Sequence, residues 1–242
     1  MVFLPVKDIN PLRSIRFQWV TVALIALNVV AFLLETTEAG PRVVANLAIV
    51  PADLLRTGIF GGAGHGPVDG FPIPERYTLL TYMFLHADIW HLLSNMLFLW
   101  VFGDNVEDAL GHLRFAVFYI ACGVGAALVH AQINAQSQLP LIGASGAIAG
   151  VIGGYLMLYP MVHVWVLAFR IIPLQLPAYV VLGAWIVSQV VMVVAGTDGQ
   201  TAWWAHMGGF VIGAVLVIGL RRPGVPLFDR RLREAREAVK VP

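Results

Sequence analysis

Six apolar segments dominate this chain of 242 residues, and each is close to the roughly 20 residues that a helix needs to cross a bilayer. Hydrophobic residues make up 59% of the sequence and charged residues only 12%. No soluble core of this size could hide so much apolar surface. We therefore predict an all-α polytopic membrane protein, a bundle of six transmembrane helices: Phe17–Leu34, Leu79–Phe102, Phe115–Ala131, Leu141–Tyr159, Leu176–Ala195 and Trp203–Leu220.

The polar segments divide the chain into three parts. Residues 1–16 precede the helices, residues 17–220 hold them, and residues 221–242 form a basic tail, either an amphipathic helix on anionic lipid or a disordered segment. The long first loop, residues 35–76, mixes Gly and Pro with apolar stretches, which favours short helices in the membrane interface. The apolar connection Met161–Gln175 is expected to follow the membrane surface.

Basic residues indicate the orientation of the helices. Three of the 15 Lys and Arg precede the first apolar segment and seven follow the last. An even number of spans places both termini on one side, and the positive-inside rule makes that side the cytoplasm. The net charge of +1 gives no reason to expect a nucleic-acid partner, so the partner that composition implies is the lipid bilayer.

Polar side chains within apolar segments are costly in lipid and tend to mark function. Here they concentrate in the second, fourth and sixth segments, whereas Asp and Glu are absent from all the apolar centres. That absence disfavours a proton relay or a cation channel, and His residues without an intramembrane carboxylate make a poor zinc site. We expect no metal and no cofactor.

Ser145 begins the fourth segment, and His206 lies near the start of the sixth. Either residue alone is readily explained as a structural contact between helices. However, each stands directly above glycines spaced four residues apart, and two such stripes let helix backbones approach closely enough for a Ser–His hydrogen bond. The glycines of these stripes are Gly146, Gly150, Gly154, Gly209 and Gly213.

His91 and Asn95 are one helical turn apart and share a face of the second segment. With the backbone N–H of Ser145, they could donate to the oxyanion of a tetrahedral intermediate. An interhelical hydrogen-bonded pair is the alternative. The only acid near His206 is Asp198 in the preceding loop, so the residues predict a Ser–His dyad rather than a triad.

At these positions the sequence resembles the rhomboid family of intramembrane proteases, in its bacterial branch. The resemblance spans most of the six segments and depends on four motifs in order, with Trp185 and Gln189 in the fifth segment as further points of similarity. The motifs are His86-Ala87-Asp88-Ile89-Trp90-His91-Leu92-Leu93-Ser94-Asn95, Phe102-Gly103-Asp104-Asn105-Val106-Glu107, Gly143-Ala144-Ser145-Gly146 and Ala205-His206-Met207-Gly208-Gly209.

The resemblance implies a serine endopeptidase of a bacterial inner (plasma) membrane that cleaves transmembrane segments of other membrane proteins. It implies catalysis by Ser145 and His206, oxyanion contacts from His91 and Asn95, and a structural role for Glu107. The chain departs from the family pattern in having Ala149 where many members have a Tyr that stacks on the catalytic histidine. The Trp-Arg pair that many members carry in the first loop is also absent from Glu35–Arg76.

Two other classes of function remain open from the sequence. A small-solute transporter would have polar residues through the full membrane depth or an internal repeat of broken helices, and neither is evident. A non-catalytic rhomboid-like chaperone that binds membrane proteins would share the fold without the reaction.

Overall fold

The computed structural model describes residues 3–57, 73–169, 171–196 and 202–229. Within these ranges the chain is mostly helical. The expected amphipathic tail helix falls largely on residues 230–242 and Asp198 on residues 197–201, so both predictions lie outside the described residues.

Six long helices and three short ones make up most of the described chain. The long helices are α1 (Trp19–Glu35), α5 (Ile89–Leu110), α6 (His112–Ile133), α7 (Ser145–Leu158), α8 (Ala178–Val194) and α9 (Trp203–Leu220). The short helices are α2 (Gly40–Leu47), α3 (Pro51–Thr57) and α4 (Glu75–Thr81), the last followed by a 3-10 turn at Tyr82–Phe84. The first loop therefore contains short helices within its described part.

Two of the described helices, α6 and α9, are both long and apolar enough to cross a membrane. Helices α1, α7 and α8 are apolar but shorter. Helix α5 has 22 residues and carries acidic side chains, among them Glu107 and Asp108, in its last turns. The number of spans predicted from sequence thus exceeds the number that length and composition support in the described residues.

A small β-sheet corrects the prediction of an all-α fold. Strands β2 (His163–Ala168) and β3 (Ile172–Pro177) form an antiparallel hairpin, and β1 (Phe3–Asp8) pairs with β2 on the other side. This hairpin lies largely in the connection Met161–Gln175, which was expected to follow the membrane surface. Alternating burial along β2, with Val164 and Val166 inward, suits a half-buried strand.

The second predicted span, Leu79–Phe102, is also corrected because it is broken between Leu85 and Asp88. Helix α4 and the 3-10 turn end there, and a new helix, α5, starts at Ile89. Asp88 caps α5, its carboxylate accepting a hydrogen bond from the backbone N–H of His91 at 2.8 Å. The apolar composition concealed this break, and α5 continues eight residues beyond the predicted end, to Leu110.

Helix α7 lies at the centre of the molecule, with nearly all of its residues buried. Helices α6 and α9 pack against it, and the backbones of α7 and α9 approach most closely. Large apolar side chains on α1, α8 and the outer face of α9 remain exposed, as expected for surfaces that face lipid. Examples are Leu27, Leu33, Val187, Val191, Val194, Val211 and Val215.

The long helices alternate in direction. Helix α7 begins beside His91, near the start of α5, and α9 begins beside Ser145, so the three helices run the same way. Helices α1, α6 and α8 run the opposite way: α1 begins at Glu107, near the end of α5, and α8 brings Gln189, near its own end, to His206. The starts of α5, α7 and α9 therefore meet at one end of the bundle.

Candidate active site

Ser145 is the first residue of α7 and is partly exposed to a cavity. Gly143, two residues earlier, has a φ of 119° and donates its N–H to the carbonyl of Tyr82 at 2.9 Å. Such a φ strongly favours glycine. The first N–H groups of a helix have no partner within it and attract negative charge, so Ser145 stands where a developing oxyanion would be stabilised.

His206 lies in the first turn of α9 and is 8% exposed. Its Nε2 is 2.8 Å from Ser145 Oγ, which is a hydrogen-bonding distance between a hydroxyl and an imidazole nitrogen. The two residues are 61 positions apart in sequence, so the bond depends entirely on the packing of α7 against α9.

The glycine stripes lie in that packing. A Cβ on Gly209 would meet the carbonyl oxygen of Gly146, and a Cβ on Gly213 would meet the carbonyl oxygen of Gly150. Gly150 also faces the side chain of Cys122 on α6. Gly154 is less tightly enclosed, since its nearest contact is Phe118 at 3.0 Å. Backbone-to-backbone contact over two turns is what brings Ser145 within reach of His206.

His206 has further contacts that the predicted dyad did not include. Its Nδ1 is 2.7 Å from Oε1 of Gln189, a buried residue of α8. The rings of Trp185 and Trp203 lie 5.9 and 6.0 Å from the imidazole, between centroids. An amide and two aromatic rings therefore lie around the imidazole of His206. A buried amide in an apolar helix, one turn after Trp185, was the signal available in the sequence.

His91 approaches the same point from α5. A Cβ built on Gly143 would lie 2.9 Å from His91 Nε2 and 3.7 Å from Ser145 Oγ. The Nδ1 of His91 is 3.4 Å from the backbone N–H of Ala87, a long hydrogen bond in which Nδ1 accepts. In that tautomer Nε2 carries the proton and is a donor beside Ser145.

Asn95 is 6% exposed and lines the same cavity as Ser145 and His91. Its Nδ2 is buried and has no hydrogen-bond partner among the residues that the structure describes. Buried amide groups are normally paired, so an unpaired donor at this place is available to a ligand.

The cavity that joins these residues has a volume of about 680 Å³. Both polar and apolar side chains line it, and the polar ones converge from α5, α6, α7 and α9. His130, for which no role was predicted, is among these polar residues, and its Nδ1 has no partner within the described chain. The polar lining comprises Asp88, His91, Ser94, Asn95, His130, Asn134, Ser137, Ser145 and His206.

His86 lies outside the cavity lining, buried, with its ring 5.0 Å from that of His91 between centroids. Neither of its ring nitrogens has a partner within the described residues. Among those residues, no cluster of three or more His, Cys, Asp or Glu could hold a metal ion. The site therefore consists of a hydroxyl, an imidazole and amide donors around a cavity.

The chain is similar to known proteins across this site. A family model described as the rhomboid domain matches residues 74–223. The chain is 30% identical to mitochondrial Rhomboid protein 1 of Saccharomyces cerevisiae over 152 residues, covering 59% of this chain and 41% of that protein. It is 30% identical to Rhomboid protease GluP of Bacillus subtilis over 161 residues, covering 66% and 29%, respectively. It is 26% identical to RHOMBOID-like protein 5 of Arabidopsis thaliana over 144 residues, covering 60% and 45%. The chain thus spans less than half the length of each of these relatives.

Proposed function

Since this chain belongs to the rhomboid family of integral membrane proteins, we propose that it is an intramembrane serine endopeptidase that cleaves transmembrane segments of other membrane proteins. The observation that supports this most is the 2.8 Å contact between Ser145 Oγ and His206 Nε2 beside the cavity. A nucleophile within hydrogen-bonding reach of a base is the arrangement that acyl transfer requires.

In the proposed reaction, Ser145 Oγ attacks the scissile carbonyl while His206 Nε2 accepts the hydroxyl proton. His206 then gives that proton to the leaving amine, and a water molecule from the cavity hydrolyses the acyl-enzyme in the same way. The chemistry needs only groups that the chain supplies, together with water.

Three donors would stabilise the oxyanion: the Nδ2 of Asn95, the Nε2–H of His91 and the backbone N–H of Ser145. Asn95 offers a buried donor without a partner in the described chain, and the His91 tautomer presents Nε2–H beside Gly143. Donors aimed at developing negative charge are commonly the largest contribution to such catalysis.

We also propose that the six long helices all cross the membrane, with both termini in the cytoplasm. Helices α6 and α9 are long enough on their own, and the alternating directions of the others are those of successive crossings. The end of the bundle away from Ser145 carries Lys7, Arg13 and Arg222, and this basic charge supports a cytoplasmic location for that end. A reporter fused after Pro242 should then be active only inside the cell.

The substrate would be a helix whose carbonyls are already hydrogen-bonded within it. It must unwind locally before Ser145 can attack, because a helical carbonyl is not accessible. Helix-breaking residues near the scissile bond should therefore help cleavage.

The test uses a fluorophosphonate probe and a model transmembrane substrate with purified protein in detergent. The probe should label the wild-type protein, which should also cleave the substrate. Ser145→Ala should neither be labelled nor cleave, while keeping the wild-type melting temperature. Wild-type protein that folds but shows neither labelling nor cleavage would favour a non-catalytic protein that binds membrane segments. Cleavage by Ser145→Ala at the wild-type rate would exclude Ser145 as the nucleophile.

A further inference from the structure

Gln189 is a buried amide in a helix whose other residues are almost all apolar. It is 4% exposed and makes three polar contacts. Its Oε1 is 2.7 Å from His206 Nδ1, and its Nε2 is 2.9 Å from Ser188 Oγ and 3.2 Å from the backbone carbonyl of Trp185.

The contacts of Gln189 determine which way its amide group faces. The carbonyl of Trp185 can only accept a hydrogen bond, so the nitrogen of the amide must point towards it. The Ser188 hydroxyl already donates to that same carbonyl at 2.6 Å, which leaves its oxygen to accept from Gln189 Nε2. The oxygen of the amide therefore faces His206.

An amide oxygen can only accept, so His206 Nδ1 must carry the proton that forms this bond. A neutral imidazole with its proton on Nδ1 has a lone pair on Nε2. That lone pair faces Ser145 Oγ at 2.8 Å. This series of hydrogen bonds, from Trp185 and Ser188 through Gln189 to His206, thus selects one histidine tautomer. It is the tautomer that can take a proton from Ser145.

We propose that Gln189 is a positioning residue that holds His206 in the tautomer and orientation needed to act as base. This role rests on the proposed function and deepens it, because it adds Gln189 to the predicted dyad of Ser145 and His206. Serine hydrolases commonly place a carboxylate at this position, where it also stabilises the imidazolium through its charge. An amide sets the tautomer without introducing a negative charge into the membrane interior, where a carboxylate is costly.

The first test is nitrogen NMR of histidine-labelled protein in micelles, with the His206 signals identified by their loss in His206→Gln. Wild type should show His206 protonated at Nδ1 and unprotonated at Nε2. In Gln189→Leu, which keeps the bulk but has no acceptor, the two tautomers should mix. A side chain that serves packing alone would leave the tautomer unchanged on replacement, and that result would overturn the proposal.

The second test is the kinetics of substrate cleavage. Gln189→Leu should lower kcat about tenfold, the effect of losing one hydrogen bond, with KM unchanged. Gln189→Glu keeps an acceptor and should recover most of kcat. Its negative charge should also favour the imidazolium, moving the acidic limb of the pH–activity profile to higher pH. Val190→Leu, at the next and lipid-exposed position, is the control and should match wild type.

These readouts separate the inference from the proposed function. If wild type cleaves in a Ser145-dependent way but Gln189→Leu keeps wild-type kcat, the positioning role is wrong and the protease stands. If wild type does not cleave at all, the protease assignment fails, and the tautomer measured by NMR still decides whether Gln189 orients His206. Should Gln189→Leu unfold, Gln189→Met, a flexible apolar side chain of similar length, takes its place in both experiments.

Discussion

Two buried polar residues of α5, one near each end of the bundle, differ in whether they have partners within the described chain. One end, called the anchor end, is where α5 and α7 terminate. There the Glu107 carboxylate is fully buried and accepts hydrogen bonds from the backbone N–H of Val20 and from the N–H and hydroxyl of Thr21, at 2.7–3.0 Å. At the site end, where Ser145 lies, Asn95 on the same helix α5 has a buried Nδ2 with no partner in the described chain.

Asp108 shows the same pattern as its neighbour at the anchor end. Its carboxylate accepts three backbone N–H groups, from Arg13, Ser14 and Ile15, at 2.6–3.0 Å. The segment before α1 is thereby attached to the end of α5 through hydrogen bonds to charged acceptors, which are stronger than neutral ones.

From Glu107 and Asn95 we infer how a structural and a functional polar group of one helix differ. A buried group with all its partners in the protein has already gained the free energy that its hydrogen bonds can give, so it contributes to stability. A buried donor without a partner costs free energy in the empty protein and regains it only when a ligand supplies the acceptor. The anchor end is expected to control stability and the site end to control turnover.

The largest expected effect comes from disturbing the packing that joins the two ends. In Gly209→Val the new side chain would meet the carbonyl oxygen of Gly146, so α7 and α9 must separate and the Ser145–His206 bond must break. We expect loss of both substrate cleavage and fluorophosphonate labelling, with a marked fall in melting temperature in detergent.

Gly219→Val is the matched control on the same helix, because a Cβ there has no neighbour within 4 Å among the described atoms. Gly40→Ala in the first loop is unsuitable as a control because its Cβ would meet the carbonyl oxygen of Glu35. Full labelling of Gly209→Val at wild-type stability would show that α7 and α9 do not pack as described.

The next effect is at the site end alone. Asn95→Ala removes a proposed oxyanion donor and should lower kcat by roughly 10²–10³, while KM and the melting temperature stay close to those of wild type. Removing an unpaired buried amide leaves no protein partner unsatisfied, which is why stability is spared. His91→Ala should behave similarly in kcat. A variant that loses stability but keeps its activity per folded molecule would make these residues interhelical contacts.

At the anchor end the expectation is reversed. Glu107→Ala leaves the N–H groups of Val20 and Thr21 without their acceptor, and His112, whose Nδ1 is 2.5 Å from the carboxylate, without its partner. Removing one member of a buried hydrogen-bonded pair that includes a charge costs about 3 kcal/mol or more. The free energy of unfolding, measured by denaturant titration in micelles, should fall by that amount, while kcat of the remaining folded fraction changes little. An equal loss of kcat would remove the distinction between the two ends.

Much of the helical architecture could be predicted because lipid imposes a length and a composition on each apolar segment. Helix α9 begins at Trp203 and ends at Leu220, as predicted. The place of β1 in the sheet was not predicted because Phe3 pairs with Ala168, a long-range register that no local pattern specifies. The β2–β3 hairpin is local, but its apolar composition favoured a segment at the membrane surface instead. The break before Ile89 was not predicted because hydrophobicity alone does not identify Asp88 as a helix cap.

For the site, the residues proposed to react were easier to find than the residue proposed to orient His206. A hydroxyl and an imidazole above two glycine stripes give a periodic signal. Gln189 gives no periodic signal, only that of an amide in an apolar helix, and its contact with His206 depends on how α8 packs against α9. The only acid near His206 in the sequence is Asp198, whereas the described contact is an amide on another helix.

The smallest expected effect also belongs to the anchor end and concerns the carboxyl of Asp8. Asp8 in β1 is 8% exposed and accepts a hydrogen bond from the Tyr155 hydroxyl of α7 at 2.6 Å. Burial raises the pKa of Asp8 from 3.8 to about 6, although the Tyr155 hydrogen bond and the nearby Lys7 partly oppose this.

Between these two pKa values the folded protein holds a proton on Asp8 that the unfolded chain has released. The free energy of unfolding therefore falls as the pH rises from about 4 to 6, and the full cost is present above pH 6. Asp8→Asn cannot ionise and should therefore gain stability over wild type by up to about 3 kcal/mol at pH 7.5, since one pKa unit corresponds to about 1.4 kcal/mol, with little gain at pH 4. The measurement is denaturant titration at both pH values, with the exposed Glu38→Gln as control; a difference between Asp8→Asn and wild type that does not change with pH would show that Asp8 is as well satisfied as Glu107.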